Sequence, residues 1–330
     1  MEDTKKQSSK KIVVLLITLL LVLGGISISN AVQLDSIEPG ELVVSNGLMT
    51  LEFKASSSNS SLKEIEFDTY GPSSGSGTNS WDYDANSDRI DFNLPADNAS
   101  IQSAITQQYK DNYGIVSAGY SDSQGKWYLT IDTTNNFWSQ GEWDMLISVE
   151  DVNGSKSAKN NYNQYPNQQE VYTFFVDDIN GAVDYVNPGD TIRILEGTYE
   201  PSTSIRLDEP ISLIGAGHDK TLIDISNFDA YGIRLRSDDI RIEGITLQGD
   251  ETQNKQYAIH AYSGAGIDGL VMRDVAVRDT HRTGIDLNNA NDDPQNLLEN
   301  IIVSGADSGF GVAFSGSQGI IVRNLTTYDN

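Results

Sequence analysis

The sequence predicts an all-β protein in which an antiparallel β-sandwich precedes a right-handed parallel β-helix. Between residues 33 and 176, short segments carry apolar residues at every second position, separated by Ser-, Gly- and Asn-rich loops. This pattern is typical of strands with one buried face. From residue 177 to residue 330, one short strand pattern recurs at nearly constant spacing, which is typical of a solenoid.

The N-terminus has the composition of an export signal. Four lysines between residues 5 and 11 precede a run of apolar or small residues from Ile12 to Ile28. Small residues ending at Ala31 then resemble the cleavage site of a signal peptidase. Residues 1–31 are interpreted as a signal peptide or, alternatively, as an uncleaved membrane anchor. Either interpretation makes the protein extracytoplasmic, secreted or anchored at the cell surface. Contact with a membrane is expected only through this segment, if it is not cleaved.

The overall composition narrows the classes of partner. A formal charge of −25 disfavours nucleic acid and anionic membrane surfaces. The acidity is interpreted as a device for solubility or, alternatively, as surface carboxylates that bind Ca²⁺. The chain has no cysteine, which excludes disulfides, a thiolate nucleophile and cysteine zinc sites. An exported protein of this kind depends on its packed core.

In the first domain, tryptophans lie at the apolar positions of segments in which apolar and polar residues alternate. Because Trp127 and Trp143 fall on the apolar parity, they are interpreted as core residues and not as platforms for sugar rings. The run 141–154 resembles the last strands of Ig-like domains in prokaryotic surface proteins, where a final strand like Val171–Val176 closes the sandwich. The resemblance implies an Ig-like β-sandwich over residues 33–176, which serves as a spacer.

The repeat of the second domain is explicit. Gly232-Ile233-Arg234-Leu235 recurs at spacings of 26, 26 and 27 residues, beginning at Ala258, Gly284 and Gly311. A second strand recurs in parallel, and the same turn position is occupied by Gly244, Asp274, Asn300 and Asn324. These residue types tolerate a left-handed backbone, which predicts a sharp corner. Tyr231, Tyr257 and Phe310 share parity with the inward residues, which predicts an internal aromatic stack.

Three segments identify a family resemblance. Residues 187–199, 210–217 and 220–224 are similar to the first coils of pectin-lyase-like right-handed β-helix proteins. That group includes pectate lyases, pectin methylesterases and exported proteins of the copper-binding, nitrous-oxide-reductase-maturation type. The resemblance implies a β-helix of about five coils over residues 177–330, with Val176–Val186 as its N-terminal cap. Because Ile320–Asn330 has no polar cap, the helix is expected to be incomplete or capped by a partner.

Stacked coils place equivalent side chains in columns about 4.8 Å apart. The predicted outward columns form a binding surface for glycan or cell-envelope polysaccharide, made of Arg206, Arg234, Arg236, His260, Tyr262, Asp286 and Asn288. Asp208 belongs to the same surface. The alternative is a solvated face whose charges pair with one another, as expected for Glu243, Arg273, Glu299 and Arg323.

An enzymatic mechanism is the second hypothesis. His260 or His281 as base and Asp286 beside them would suit a lyase, hydrolase or epimerase acting on uronate-containing polymers, with Arg234 on a carboxylate. The catalytic motifs of the enzymes named above are not matched residue by residue. Asn291-Asp292-Asp293 is interpreted as a turn or a Ca²⁺-binding loop, and no other cofactor is expected. The favoured function is therefore binding, with the enzyme as alternative.

Overall fold

The computed structural model describes residues 32–35, 41–57, 61–72, 90–95, 104–154, 171–252, 256–261, 266–291 and 294–330. The predicted export segment, Tyr262, Asp292 and Asp293 lie outside these residues. Within them the protein is mostly β, with short helices α1 (Gln107–Tyr113) and α2 (Ile179–Tyr185). None of the helices in these ranges is long and apolar enough to cross a membrane.

The first half of the chain forms two antiparallel layers. Its strands are β1 (Val32–Asp35), β2 (Glu41–Ser45), β3 (Leu48–Ser57), β4 (Leu62–Tyr70), β5 (Ile90–Pro95), β6 (Ile115–Ser121), β7 (Lys126–Asp132), β8 (Gly141–Asp151) and β9 (Val171–Val176). One layer has the order β1-β3-β7-β6, and the other runs β9-β8-β4-β5. Side chains from both layers share one apolar core.

Trp127 and Trp143 lie in that core as predicted. Trp127 is 8% exposed and Trp143 is 2% exposed. Trp138 packs edge-on against Trp143 with ring centroids 4.8 Å apart, so the aromatic residues fill the space between the layers. The Ig-like assignment of this half remains a prediction.

The second half is a parallel β-solenoid of about five turns. Its strands are β10 (Thr191–Ile194), β11 (Gly197–Tyr199), β12 (Ile205–Leu207), β13 (Ser212–Gly215), β14 (Thr221–Asp224), β15 (Tyr231–Leu235), β16 (Arg241–Gln248), β17 (Tyr257–Ala261), β18 (Val271–Thr280), β19 (Ile285–Asp286), β20 (Asn296–Ala306), β21 (Val312–Ala313) and β22 (Ile320–Tyr328). One face stacks β10-β13-β16-β18-β20-β22, and another stacks β12-β15-β17-β19-β21. The predicted repeat is therefore confirmed as a stack of coils.

The predicted corner is also confirmed. Gly244, Asp274, Asn300 and Asn324 all have φ between 51° and 63°. Most residues with a Cβ are strained there, whereas glycine has no Cβ and the short polar side chains of asparagine and aspartate make the conformation tolerable. Asn324 Nδ2 donates to Asn300 Oδ1 at 2.9 Å, so neighbouring corners are also bonded through their side chains.

The predicted internal aromatic stack is wrong. Tyr231 and Tyr257 do stack, with ring centroids 5.6 Å apart, but both are only half-buried, and Phe310 is 67% exposed. The cause is a break in alternation, because Gly232 and Ile233 are both buried. The Gly232 Cα lies close to Ile225 and to a neighbouring main chain, where a Cβ would not fit. Tyr231, which precedes that glycine, therefore lies on the outer side, where its ring contacts His260.

The two halves share one sheet. β2 pairs in parallel with β9 on one side and with β10 on the other, so a 13-stranded sheet continues from the first half into the solenoid. Val44 in β2 is fully buried in the solenoid core. In α2, Ile179 and Ala182 pack into the same core. The end of the solenoid core is thus covered by α2, as the sequence predicts for residues 176–186, and also by β2.

Candidate functional site

The predicted column of outward side chains exists in the strand register. Arg206 pairs with Arg234, Arg234 with His260, and His260 with Asp286, in successive strands β12, β15, β17 and β19. These four residues are called the outer column. Their flanking residues, including Ile233, Ile259 and Ile285, are fully buried in the core. The alternation of the strands therefore confirms the predicted alignment on the outer face, and its role in binding remains a prediction.

Exposure varies along the outer column. Arg206 is exposed and Arg234 is half-buried, whereas His260 is 9% exposed and Asp286 is 8% exposed. Two polar side chains on an outer sheet face are therefore nearly withdrawn from water. Withdrawal of such groups costs free energy unless partners compensate it. This part of the column is thus not an ordinary solvated face.

Aromatic and arginine side chains surround the histidine. The ring of His260 lies 4.6 Å from that of Tyr231 and 5.3 Å from that of Tyr257. The Arg234 guanidinium lies 4.8 Å from the centre of the Tyr231 ring. On the other side, Arg282 Nη1 donates to the Tyr257 hydroxyl at 3.0 Å. These five residues are called the aromatic–arginine cluster.

The electrostatics favour a neutral imidazole in this cluster. Burial lowers the pKa of His260, and the positive charge of Arg234 acts in the same direction against the opposing effect of Asp286. His260 Nε2 lies 3.7 Å from Asp286 Oδ2, which is longer than a good hydrogen bond. The buried Nδ1 atom has no hydrogen-bond partner among the residues that the structure describes. The imidazole therefore has hydrogen-bonding capacity that the surrounding strands do not use.

The other predicted arginines have a simpler environment. Arg206 Nη2 lies 3.3 Å from Asp208, and Arg236 Nε lies 3.2 Å from the same carboxylate. Charges that pair with one another are the expected alternative for this surface. Such mutual pairing accounts for the positions of Arg206 and Arg236. Exposed pairs of this kind contribute about 0.2–1 kcal/mol each.

The face that stacks β10-β13-β16-β18-β20-β22, called the long-stranded face, carries the predicted ladder of alternating charge. Arg273 lies 3.6 Å from Glu243 and 3.0 Å from Glu299, and Arg323 lies 3.6 Å from Glu299. Arg273 therefore lies between acidic side chains of the two adjacent coils, and Arg323 continues the alternation beyond Glu299. The ladder is a structural feature and not a candidate site.

His281 belongs to a different surface. Its Nδ1 lies 2.9 Å from the Glu251 carbonyl oxygen and 3.6 Å from Asp307 Oδ2, and its Nε2 lies 3.1 Å from Ser308 Oγ. These contacts place it at a turn between coils. The structure therefore does not bring its ring into contact with His260. The next residue, Arg282, does contact Tyr257 of the aromatic–arginine cluster.

The remaining predicted residues give no assembled site. Asn288 is half-buried, and Asn291 is exposed, with Nδ2 3.4 Å from Asp268 Oδ2. The proposed calcium loop cannot be followed further, since its two aspartates lie outside the described residues. In the described ranges, no group of three or more His, Asp or Glu side chains could hold a metal ion.

Sequence reasoning missed three contributors to these surfaces. Tyr231 and Tyr257 were placed inside because strict alternation was assumed across the buried glycine and alanine that follow them. Ser308 carries no local motif, since its partner lies 27 residues earlier. Only the stacking of whole coils brings the two together.

Comparisons with protein-family models and with curated proteins give no match to this chain.

Proposed function

We propose that this chain is an exported or cell-surface glycan-binding protein, in which a pectin-lyase-like right-handed β-helix presents the aromatic–arginine cluster to a polysaccharide. An Ig-like first half acts as its spacer. The support for the location is the export-type composition of residues 1–31. The support for the ligand is the chemistry of the cluster.

The observation that carries the proposal is the pair of stacked tyrosines flanked by arginines. Tyr231 and Tyr257 form a half-buried aromatic surface, with interplanar angle 25°. Aromatic rings with one apolar face and a polar edge suit ligands that are apolar on one side and hydroxylated on the other, as sugar rings are. Arg234 and Arg282 present guanidinium groups beside these rings. Guanidinium groups bind carboxylates in a bidentate geometry.

The charge distribution makes the cluster distinct from the rest of the surface. The chain carries 47 acidic and only 22 basic residues, so two arginine side chains beside one aromatic surface are uncommon on it. An acidic polymer would be repelled at long range, but salt screens this repulsion beyond about 8 Å at physiological ionic strength. Contacts with the arginines would therefore decide binding. The preferred ligand is a polysaccharide that contains uronate residues.

One observation favours the alternative, a lyase, hydrolase or epimerase acting on uronate-containing polymers. Burial lowers the pKa of His260, which favours the neutral imidazole, and Arg234 lies in the adjacent strand. A neutral imidazole beside a carboxylate-binding guanidinium has the groups needed to abstract a proton next to a uronate carboxylate. His281, the other predicted base, lies away from this cluster. In this alternative Asp286 would hold the charged imidazole.

The experiment is a binding measurement on a panel of uronate-rich and neutral polysaccharides with residues 32–330. Tyr257→Ala and Arg234→Ala should each weaken binding at least tenfold. Control variants on the long-stranded face, Tyr328→Ala and Arg323→Ala, remove exposed side chains of the same two types and should leave binding unchanged. Equal affinity in all four variants would overturn the proposal. Release of new reducing ends, lost in His260→Ala, would establish the enzymatic alternative.

A further inference from the structure

A serine, a histidine and an acidic residue meet at the turn that follows β20. Ser308 Oγ lies 3.1 Å from His281 Nε2, and Asp307 Oδ2 lies 3.6 Å from His281 Nδ1. The same Nδ1 atom lies 2.9 Å from the Glu251 carbonyl oxygen. Ser308 and Asp307 are exposed, so a solute can reach them.

We propose that Ser308 and His281 form a serine-type esterase centre, with Ser308 as nucleophile and His281 as its general base. The reasoning begins with the proton on the imidazole. A carbonyl oxygen only accepts hydrogen bonds, so the Glu251 contact requires Nδ1 to carry the proton. Nε2 is then the free acceptor, and it faces the serine hydroxyl. This is the tautomer that a base needs in order to activate a serine.

The hydroxyl has a second acceptor. Ser308 Oγ also lies 2.9 Å from the carbonyl oxygen of His281. The two acceptors are on the same residue, so the hydroxyl rotates between them without moving the main chain. Asp307 adds a negative charge beside the ring, which stabilises the imidazolium formed when Nε2 takes the proton.

Main-chain donors are available next to the nucleophile. Among the described residues, the N–H groups of Gly309 and Phe310 bond to no acceptor. In serine hydrolases, the N–H of the residue after the nucleophile often stabilises the oxyanion. The main chain of Gly309 packs against Arg282 and Thr283, where a Cβ would clash. The turn that holds these donors is therefore fixed by packing.

The reaction balances with water as the co-substrate. Ser308 Oγ attacks the carbonyl carbon of a carboxylic ester, and its proton moves to His281 Nε2. The carbon–oxygen bond to the alcohol then breaks, and the alcohol leaves with that proton. Water, deprotonated by the same nitrogen, attacks the acyl-serine, releases a carboxylic acid and restores the hydroxyl.

The surroundings indicate the substrate class. The neighbouring Phe310 side chain is 67% exposed and offers a small apolar surface for an acyl group such as acetyl. Arg282 follows His281 directly and bonds to Tyr257 of the aromatic–arginine cluster. We therefore expect the alcohol to be a carbohydrate hydroxyl, so that the substrate is an O-acylated glycan. Only this identification of the alcohol rests on the proposed function.

The first experiment measures hydrolysis of p-nitrophenyl acetate and labelling by a fluorophosphonate, with intact mass and peptide mapping to locate the adduct. The wild-type protein should carry one adduct, on Ser308. Ser308→Ala should abolish labelling and lower hydrolysis at least tenfold, and His281→Gln should do the same. Ser202→Ala, which removes another exposed serine, serves as the matched control. Labelling that is absent, or that persists in Ser308→Ala, would overturn the proposal.

The second experiment separates this centre from the glycan site. Tyr257→Ala should reduce acetate release from an O-acetylated polysaccharide by a larger factor than it reduces p-nitrophenyl acetate hydrolysis. Ser308→Ala should leave polysaccharide binding unchanged. If the protein binds no glycan yet is labelled on Ser308, the esterase centre stands and the glycan function fails. Circular dichroism of each variant identifies any loss of activity that comes from unfolding. If Ser308→Ala does not fold, Ser308→Thr is tested in its place.

Discussion

His260 and Asp286 lie in register on adjacent parallel strands, with His260 Nε2 3.7 Å from Asp286 Oδ2, and each residue is less than one-tenth exposed. A pair of ionisable groups on an outer sheet face is usually solvated. Here the tyrosine rings that contact His260 contribute to its withdrawal from water. Burial and the nearby charges of Asp286 and Arg234 together decide how His260 titrates.

His260 should titrate below the usual range for histidine, because burial lowers its pKa. Asp286→Asn removes the charge that opposes this effect and should lower the pKa further, whereas Arg234→Gln should raise it. Nuclear magnetic resonance of the histidine ring protons measures these values, and His260→Gln assigns the signal among three histidines. Shifts of the same sign in both variants would contradict the electrostatic account.

The same pKa has a consequence for stability. The folded protein binds this proton less readily than the unfolded chain does, so the contribution of His260 to stability is present above the unfolded pKa of about 6.5. It is lost as the pH falls below that value. His260→Gln should therefore lose less stability than the wild-type protein between pH 7 and pH 5, as measured by urea denaturation. A steeper loss in the variant would reverse the sign and contradict the prediction.

Asp177 should give the opposite pH dependence. Burial raises its pKa to about 6, so the folded protein holds this proton more tightly than the unfolded chain. Its stabilising contribution is present below the unfolded pKa and is lost as the pH rises through about 6. Asp177→Asn should stabilise the protein at pH 7 by about 1 kcal/mol, allowing for solvent screening, and have little effect at pH 4.

The measurement is the denaturation midpoint of wild type and variant at both pH values. Asparagine suits the site because Asp177 has φ 46°, a left-handed conformation that asparagine also adopts. An equal midpoint shift at pH 4 and pH 7 would show that the effect does not come from ionisation.

The left-handed corner can be tested at Asn300. Asn300→Gly and Asn300→Ala both remove the hydrogen bond from Asn324, but only alanine places a Cβ in the left-handed conformation at φ 56°. Asn300→Ala should therefore unfold at lower denaturant concentration, with a difference of about 1–2 kcal/mol between the variants. Identical unfolding curves would contradict the corner geometry.

The shared sheet predicts that the first half stabilises the solenoid. Val44 is fully buried in the solenoid core, so Val44→Ala should cost about 2 kcal/mol from lost burial and the resulting cavity. Hydrogen exchange should increase in Thr191–Ile194, the partner strand β10. Leu48→Ala is the control, because that side chain is 61% exposed. Unchanged exchange in β10 would mean that β2 does not support the solenoid.

The solenoid was predictable because each coil repeats the same local information. Ile233, Ile259 and Ile285 mark one inward column, and the corner residues are restricted by backbone sterics alone, so both features could be read directly from the sequence. The column of Arg234, His260 and Asp286 followed from the same alternation.

The remaining features depend on interactions that have no local signal. Burial of Gly232 beside Ile233 reverses the side on which Tyr231 lies, and that reversal depends on the packing of Ile225. The insertion of β2 between two later strands depends on a pairing between distant segments. Likewise, the contact of Ser308 with His281 appears only when complete coils are stacked.

The position of β2 has a consequence for biosynthesis. Glu41 pairs with Thr191 across 150 residues, so the strand that adjoins the first solenoid strand is synthesised long before its partner. Closing a loop of this length is slow for an isolated chain, because the entropy loss precedes the contacts that compensate it. During vectorial synthesis, however, β2 can first pair with β9, which is made before β10, and then offer its other edge to the first solenoid strand. Each newly made coil would add to that template in turn, so the solenoid would grow in one direction.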